Sequence, residues 1–351
     1  MPYQTGSVAS FNALKSTIFS FLTSNGYTAE SNIIKKGNLY AEFTDTLIEL
    51  KMVGAKSSDG SGNLVETFEH ATRGLYLNNS SSVGCTLRKD ATLENLATVS
   101  MVFPITYHFH LATTPVDEFW CVIEYNGGYC QHLGFGNLVK AAEFTGGGFY
   151  TGSGNANSRN YHLVGSFNYE RSYYQYGGGA PLAPFHLAET QWPYAGEFPG
   201  SAVHAEIEGF HWMHPVYIQY GLDNSPTTDT LPYENVVGAI GVYYGLDTYT
   251  REERYRAESP VNGISTLVPY RLYGTMANRN VCRLGDVHNL RWALIKNLSF
   301  GQVEDDGTDK WKFYPAFFKD PLASPTKDIN SSSTTYANTG IYGFAIKYDG
   351  P

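Results

Sequence analysis

The sequence predicts a mainly β protein, with a β-sandwich-like body and a small N-terminal helix-plus-hairpin unit. Aromatic residues make up 15% of the 351 residues, charged residues only 16%, and 36 residues are glycine. This much apolar surface can offset the entropy of ordering, which excludes a disordered chain. Tyr and Gly at these levels, with little charge, are typical of strands joined by many turns.

The clearest helix is predicted over residues 10–25. Ser10 can cap its first turn, and Asn25-Gly26 can end it because glycine tolerates a left-handed conformation. Apolar residues at helical spacing form one stripe, which consists of Phe11, Leu14, Ile18, Phe21 and Leu22. This stripe fits a helix packed on a sheet of the same chain, or an assembly helix that docks onto a partner subunit.

A hairpin is predicted after the helix, with strands over 31–36 and 39–43 joined at Gly37-Asn38. Residues 46–53 alternate in polarity, which predicts a third strand with one buried face. The apolar positions of that face are Ile48, Leu50 and Met52.

A polar Gly/Ser loop over 54–63 marks a candidate domain boundary. We therefore predict an N-terminal helix-hairpin docking unit at 1–55. The rest, 56–351, is predicted to be a β-rich body with long loops around 150–235.

Strand signals dominate the body. Long β-branched and aromatic runs bounded by glycine or polar residues predict strands at 97–112, 118–126, 129–138, 236–245, 268–276, 289–297, 310–319 and 340–350. Three glycine clusters, at 127–128, 146–148 and 177–179, mark turns or close backbone contacts. Residues 304–309 place Asp306-Gly307 between two such runs, which favours a hairpin turn over a calcium loop.

The charge distribution argues against nucleic acid as a partner and against membrane insertion. The formal net charge is −9, and no run of basic residues could neutralise phosphates. No stretch approaches the ~20 apolar residues of a membrane span. The N-terminal residues lack a secretory signal, so we expect synthesis and folding in a cytosol. There Cys121 and Cys130 are expected to be reduced and buried, although a disulfide across their hairpin is an alternative.

Two groups of histidines are candidate metal ligands. His108 and His110 share one strand face, with Asp117 or Glu118 near enough in sequence to supply a third ligand. The second group consists of His204, Glu206, His211 and His214. A polar strand face with hydrogen-bonded histidines is the favoured interpretation, because neither group has the spacing of a known metal motif. No metal and no cofactor are therefore predicted.

No motif predicts catalysis. The sequence has no nucleophile elbow, phosphate-binding loop or dinucleotide fingerprint, and no catalytic residue is assigned. A non-enzymatic role is therefore expected.

Aromatic residues between 150 and 220 form a candidate ligand or partner surface, because such rings stack on sugars and anchor interfaces. The candidates are Tyr173, Tyr174, Tyr176, Trp192, Tyr194 and Trp212. The alternative is that these rings fill the β core or contacts between subunits.

Several segments resemble virion structural proteins of tailed bacteriophages. The matching segments include a "QHLGFG" element and a "TGG" turn, and they are residues 9–28, 33–43, 103–153, 285–302, 309–319 and 343–351. The resemblance spans both ends and the middle of the chain, and 155–260 match least. It implies a component of the tail, baseplate or neck that assembles in the host cytoplasm, and it implies no catalytic residues.

The predicted function is therefore architectural: subunit-subunit assembly in a phage tail or baseplate. The expected partners are other virion proteins and further copies of the chain, in a trimer or ring. A receptor- or glycan-binding tail module, contacting a host surface glycan or protein, is the alternative. A depolymerase or a metal-dependent hydrolase is a less favoured one.

Overall fold

The computed structural model describes part of the chain. The described residues are 1–67, 85–89, 100–141, 148–154, 168–169, 176–177, 201–205, 211–214, 267–275, 281–295, 297–315, 319 and 342–350. Within them the protein is mainly β with a single helix, as the sequence predicts. None of the helical structure in this part of the chain has the length and apolar character of a membrane span.

The elements follow one another along the chain with a helix only near the start. They are β1 (Tyr3–Val8), α1 (Phe11–Ser24), β2 (Thr28–Glu30), β3 (Ile33–Lys36), β4 (Leu39–Asp45), β5 (Glu49–Ser58), β6 (Leu64–Thr67), β7 (Cys85–Arg88), β8 (Ile105–Ala112), β9 (Glu118–Tyr125), β10 (Tyr129–Asn137), β11 (Val139–Lys140), β12 (Phe149–Gly154), β13 (Asn168–Tyr169), β14 (Tyr176–Gly177), β15 (Ser201–Ala205), β16 (His211–His214), β17 (Val268–Thr275), β18 (Val281–Leu294), β19 (Val303–Asp305), β20 (Lys310–Pro315) and β21 (Tyr342–Lys347).

These strands form three large antiparallel sheets and one small one. The N-terminal sheet has the order β2-β3-β4-β5-β6, with β7 also paired to β5. The central sheet has the order β1-β8-β9-β10-β12-β15. The C-terminal sheet has the order β16-β17-β18-β21-β20-β19, with β11 also paired to β18. The pair β13 and β14 stands apart from these sheets.

Helix α1 confirms the local sequence signals. The Ser10 side chain accepts a hydrogen bond from the Ala13 backbone N–H, and Asn25 forms the C-cap. Gly26 follows with a φ of +88°, in the region where glycine is favoured. The buried side chains of the helix are Phe11, Leu14, Ile18, Phe21 and Leu22.

The central sheet is covered on both faces. One face presents Phe109, Phe119 and Phe135 to the helix and the N-terminal sheet, in one continuous hydrophobic core. Phe21 of the helix lies with its ring centroid 5.5 Å from that of Phe109. The opposite face meets the C-terminal sheet, where the rings of His132 and Phe344 lie 4.3 Å apart. Strands β8, β9 and β10 are therefore buried almost throughout.

Three predicted boundaries are wrong. Ile48 is 51% exposed, because Thr46 Oγ1 accepts the backbone N–H groups of Ile48 and Glu49 in a turn that precedes β5. The predicted loop 54–63 is largely strand, since β5 continues to Ser58 before turning into β6. The strand predicted at 97–112 begins at Ile105.

The remaining strand predictions agree with the structure where it describes them. Strands β9, β10, β17, β20 and β21 lie at predicted positions, and the turn at Asp306-Gly307 joins β19 to β20. Strand β18 overlaps the strand predicted at 289–297 but begins eight residues earlier, at Val281. The strand predicted at 236–245 and most of the long loops of 150–235 lie outside the described residues. The division of the chain at residue 55 stays a prediction; the hydrophobic core itself runs across that position.

Candidate functional site

A cluster of buried polar side chains lies between the central and C-terminal sheets. Alternate residues of a strand point to the same face, so even-numbered residues of β8 and β9 meet β18 and β20. We call this set the interlayer polar cluster, and its members are Tyr3, His108, His110, Glu118, Asn289 and Tyr314.

Strand β18 is bulged next to this cluster. The adjacent residues Pro269 and Tyr270 of β17 pair with Arg291 and Val287 of β18, respectively, so residues 288–290 are extra. A bulge leaves backbone groups without ladder partners, and buried backbone groups require partners from elsewhere.

Glu118 supplies the acceptors on one side of this bulge. Its Oε1 accepts the backbone N–H of His288 at 2.8 Å. Its Oε2 accepts the backbone N–H of Asn289 at 3.0 Å and the Asn289 side-chain Nδ2 at 2.8 Å. The carboxyl is fully buried, and burial raises the pKa of Glu118 to about 8, although these hydrogen bonds act in the opposite direction.

Arg291 supplies donors on the other side of the bulge. Its Nη1 donates to the carbonyl oxygens of His288 at 2.6 Å and Leu290 at 2.8 Å. The guanidinium lies 4.7 Å from the ring centroid of Trp311, whose Nε1 donates to Asp306. A carboxyl and a guanidinium from two different strands thus hold the bulge at its N–H and C=O groups.

The two histidines of β8 are hydrogen-bonded and neutral. His110 Nε2 and the Tyr314 hydroxyl are 2.7 Å apart, and His108 Nδ1 and the Tyr3 hydroxyl are 2.8 Å apart. Burial lowers the pKa of His108 to about 4 and the pKa of His110 well below its usual range, with the positive charge of Lys312 adding to both shifts. The predicted shared face of these histidines is confirmed, and so is their role as hydrogen-bonded strand residues.

The proposed third metal ligands do not join these histidines. The Glu118 carboxyl is bonded to β18, and Asp117 forms an ion pair with Lys36. Within the described part of the chain, no group of three His, Cys, Asp or Glu side chains could hold a metal ion.

The second histidine group is described only as backbone. His204 lies in β15 of the central sheet, opposite Thr151. His211 and His214 lie in β16 of the C-terminal sheet, opposite Gly274 and Arg271. These strands belong to different sheets, and Glu206 lies outside the described residues.

Most aromatic surface candidates lie outside the described residues. These are Tyr173, Tyr174, Trp192 and Tyr194. The backbone of Tyr176 pairs with Tyr169 between β14 and β13, and that of Trp212 pairs with Tyr273 between β16 and β17. Their role as a ligand or partner surface stays a prediction.

The apolar stripe of α1 packs against other parts of the same chain. All five side chains are at most 5% exposed, so they lie in the intramolecular core. The packing of this helix on a sheet is confirmed; docking onto another subunit would involve its exposed face.

Cys121 and Cys130 are both buried and free, which confirms the expectation of reduced thiols.

Sequence reasoning missed Gln131, which joins β10 to β7. Its Oε1 accepts the Arg88 backbone N–H at 2.7 Å, and its Nε2 donates to the Arg88 carbonyl at 2.6 Å. Gln131 is fully buried. An amide at an otherwise apolar face of a strand was the available signal, because a buried amide needs backbone or side-chain partners.

Gly136 leaves room for Glu118, its pairing partner on β9. A Cβ at Gly136 would lie 2.8 Å from Glu118 Cα and 2.9 Å from its Cγ, well inside normal contact distance. Gly136 therefore allows close packing of β10 against β9, and it lies inside strand β10 rather than at a turn.

Two parts of the interlayer polar cluster join the two sheets: His110 with Tyr314, and Glu118 with β18. His108 bonds Tyr3 within the central sheet, and His108 Nε2 and Asn289 Oδ1 have no hydrogen-bond partner among the described residues. Neither a scan against models of protein families nor a search of curated proteins finds a match for this chain.

Proposed function

We propose that the chain is an architectural component of a tailed-phage virion, in its tail or baseplate. It acts through subunit-subunit assembly and is made in the host cytoplasm. The observation that carries this proposal is spatial. The segments that resemble virion proteins are far apart in sequence, yet they pack together as one body.

Contacts join these segments in pairs. Segment 103–153 provides Glu118, which bonds Asn289 of segment 285–302. It also provides His110, which bonds Tyr314 of segment 309–319, and His132, which packs on Phe344 of segment 343–351. The segments that carry the resemblance therefore form one packed body, which is the property that an architectural subunit requires.

The burial of the titratable groups also supports an architectural role. Glu118 is 0% exposed and His110 is 1% exposed. A catalytic acid or base must reach substrate, directly or through one water. Both groups instead bond backbone or side chains of the neighbouring sheet, which serves rigidity.

Mass spectrometry of gradient-purified particles tests the proposal, using the phage whose genome encodes this chain. We expect the chain in the particle fraction, at a fixed ratio to the major tail protein across independent preparations. The matched control is the particle-free fraction of the same gradient, where the chain should be depleted. Its absence from purified particles would overturn the proposal.

A further inference from the structure

The outer edge of β1 is an open hydrogen-bonding edge of the central sheet. The Leu111 N–H donates to the Pro2 carbonyl at 3.0 Å. In an antiparallel pair, hydrogen-bonded and non-bonded positions alternate. Gln4, Gly6 and Val8 therefore bond β8, while the backbone N–H and C=O groups of the three odd-numbered residues point outward: Tyr3, Thr5 and Ser7.

Within the described part of the chain, this edge lacks the usual protection against pairing with another strand. Proteins usually guard edge strands with charges, proline or bulges. The segment Tyr3–Val8 contains none of these, and it pairs with β8 in unbroken register. Thr5 and Ser7 are exposed, and no described strand pairs with the outer side of β1. By contrast, edge strand β19 carries Glu304 and Asp305.

We propose that β1 pairs antiparallel with β1 of a second copy of this chain, about a twofold axis through Thr5. This contact rests on the assembly role proposed above and names its element. Thr5 then faces Thr5 of the copy, and Tyr3 faces Ser7 on both sides. Each outward residue then faces an outward residue of the other copy. The two copies together offer six outward N–H groups and six outward carbonyl groups, and all of them are hydrogen-bonded in this pairing.

The occupant is a second copy because the edge is self-complementary and neutral. The chain carries a net charge of −9, so two copies repel each other overall. No side chain of β1 is charged, and the Met1 ammonium that precedes it is paired with Asp349, which limits like-charge repulsion at this edge. Thr-Thr cross-strand pairs are favourable, and the central sheet would continue from six to twelve strands. Such a twofold contact can also join two rings back to back.

Analytical ultracentrifugation of the full chain tests this contact, with Thr5→Pro as the disrupting variant. Proline removes the outward N–H and the Thr5 hydroxyl that donates to the Tyr107 carbonyl, but it leaves the backbone hydrogen bonds to β8, and an edge strand tolerates it. Thr5→Val is the matched control, because it loses the same hydroxyl and keeps the N–H. We expect a wild-type dimer, an unchanged Thr5→Val dimer and a dissociation constant at least about tenfold higher for Thr5→Pro.

Ser7→Pro is a second disrupting variant, used if Thr5→Pro does not fold as judged by circular dichroism. A wild-type monomer at ~50 μM, or a dimer that both proline variants leave unchanged, would overturn this contact. Neither result would bear on whether the chain is present in purified particles. The architectural proposal is therefore tested separately, by mass spectrometry.

Discussion

Replacing Glu118 by glutamine should abolish a large pH dependence of stability. The pKa of Glu118 is raised from 4.5 in an ordinary environment to about 8 by burial. Between these values the folded chain holds a proton that the unfolded chain has released. Stability from this group is therefore fully present below pH 4.5 and falls as the pH rises towards 8.

The expected magnitude follows from the width of that window. Each pH unit inside it changes the free energy of unfolding by about 1.4 kcal/mol, so the wild type should lose about 3–4 kcal/mol between pH 5 and pH 8 through Glu118. Glu118→Gln cannot ionise and should lack this loss. It places an NH₂ group against one of the three donors from β18, which costs about 1–3 kcal/mol at every pH.

Urea unfolding at pH 5, 6, 7 and 8, followed by tryptophan fluorescence, measures the difference. The buried rings of Trp120 and Trp311 report on the sheets on either side of the cluster. Glu42→Gln on β4 is the matched control, since the half-buried Glu42 side chain has no hydrogen bond among the described residues. If the free energies of unfolding of wild type and Glu118→Gln changed in parallel with pH, the raised pKa of Glu118 would be refuted.

Three further changes should have separable effects. Ser10→Ala removes the helix N-cap and should cost about 1 kcal/mol in urea unfolding, whereas Ser10→Thr should cost little. Gly343→Ala should destabilise the chain by about 3 kcal/mol or more, because its Cβ would overlap the Tyr314 carbonyl oxygen. Gly148→Ala, whose Cβ meets only ordinary contacts, should have a mild effect, and equal melting temperatures of the two variants would contradict this. His108→Gln should reduce the loss of stability that the wild type shows as the pH falls from 6.5 to 4. In this range His108 stays neutral in the folded chain but is protonated in the unfolded chain, which favours unfolding. The same loss of stability in both proteins would contradict the pKa of about 4.

Local elements could be predicted from the sequence because their signals are local. The cap at Ser10, the apolar stripe of α1 and the turn at Gly26 all lie within 17 residues, and each acts through neighbours in the chain. The same holds for the hairpin between β9 and β10, which turns at Asn126 and Gly127 with positive φ at both.

Alternation alone could not place the start of β5. Leu47 and Ile48 continue the apolar pattern of the strand, yet they lie in the turn, where Leu47 is 92% exposed. The deciding interaction is the Thr46 hydroxyl, which accepts two backbone N–H groups and ends the extended conformation. The alternation of polar and apolar residues does not indicate where a side chain will bond the backbone and end a strand.

The interlayer polar cluster could not be predicted because its partners are distant in sequence. Glu118 and Asn289 are separated by 171 residues, and His110 and Tyr314 by 204. Placing Glu118 against β18 also required the bulge at 288–290, which no sequence pattern marked. The pairing of His108 with His110 on one face followed from strand geometry, whereas their hydrogen-bond partners depended on the tertiary fold.

The double coverage of the central sheet sets an order for biosynthesis. The helix and the N-terminal sheet are translated before β8 to β10, so the aromatic face of Phe109 and Phe119 can be covered as soon as it leaves the ribosome. Among the described strands, β18, β20 and β21 meet the opposite face, and they are translated later, within residues 281–347. That face carries His108, His110 and Glu118, which water can solvate. The nascent chain therefore exposes its more polar side during the longest interval, which limits aggregation while the last sheet is made.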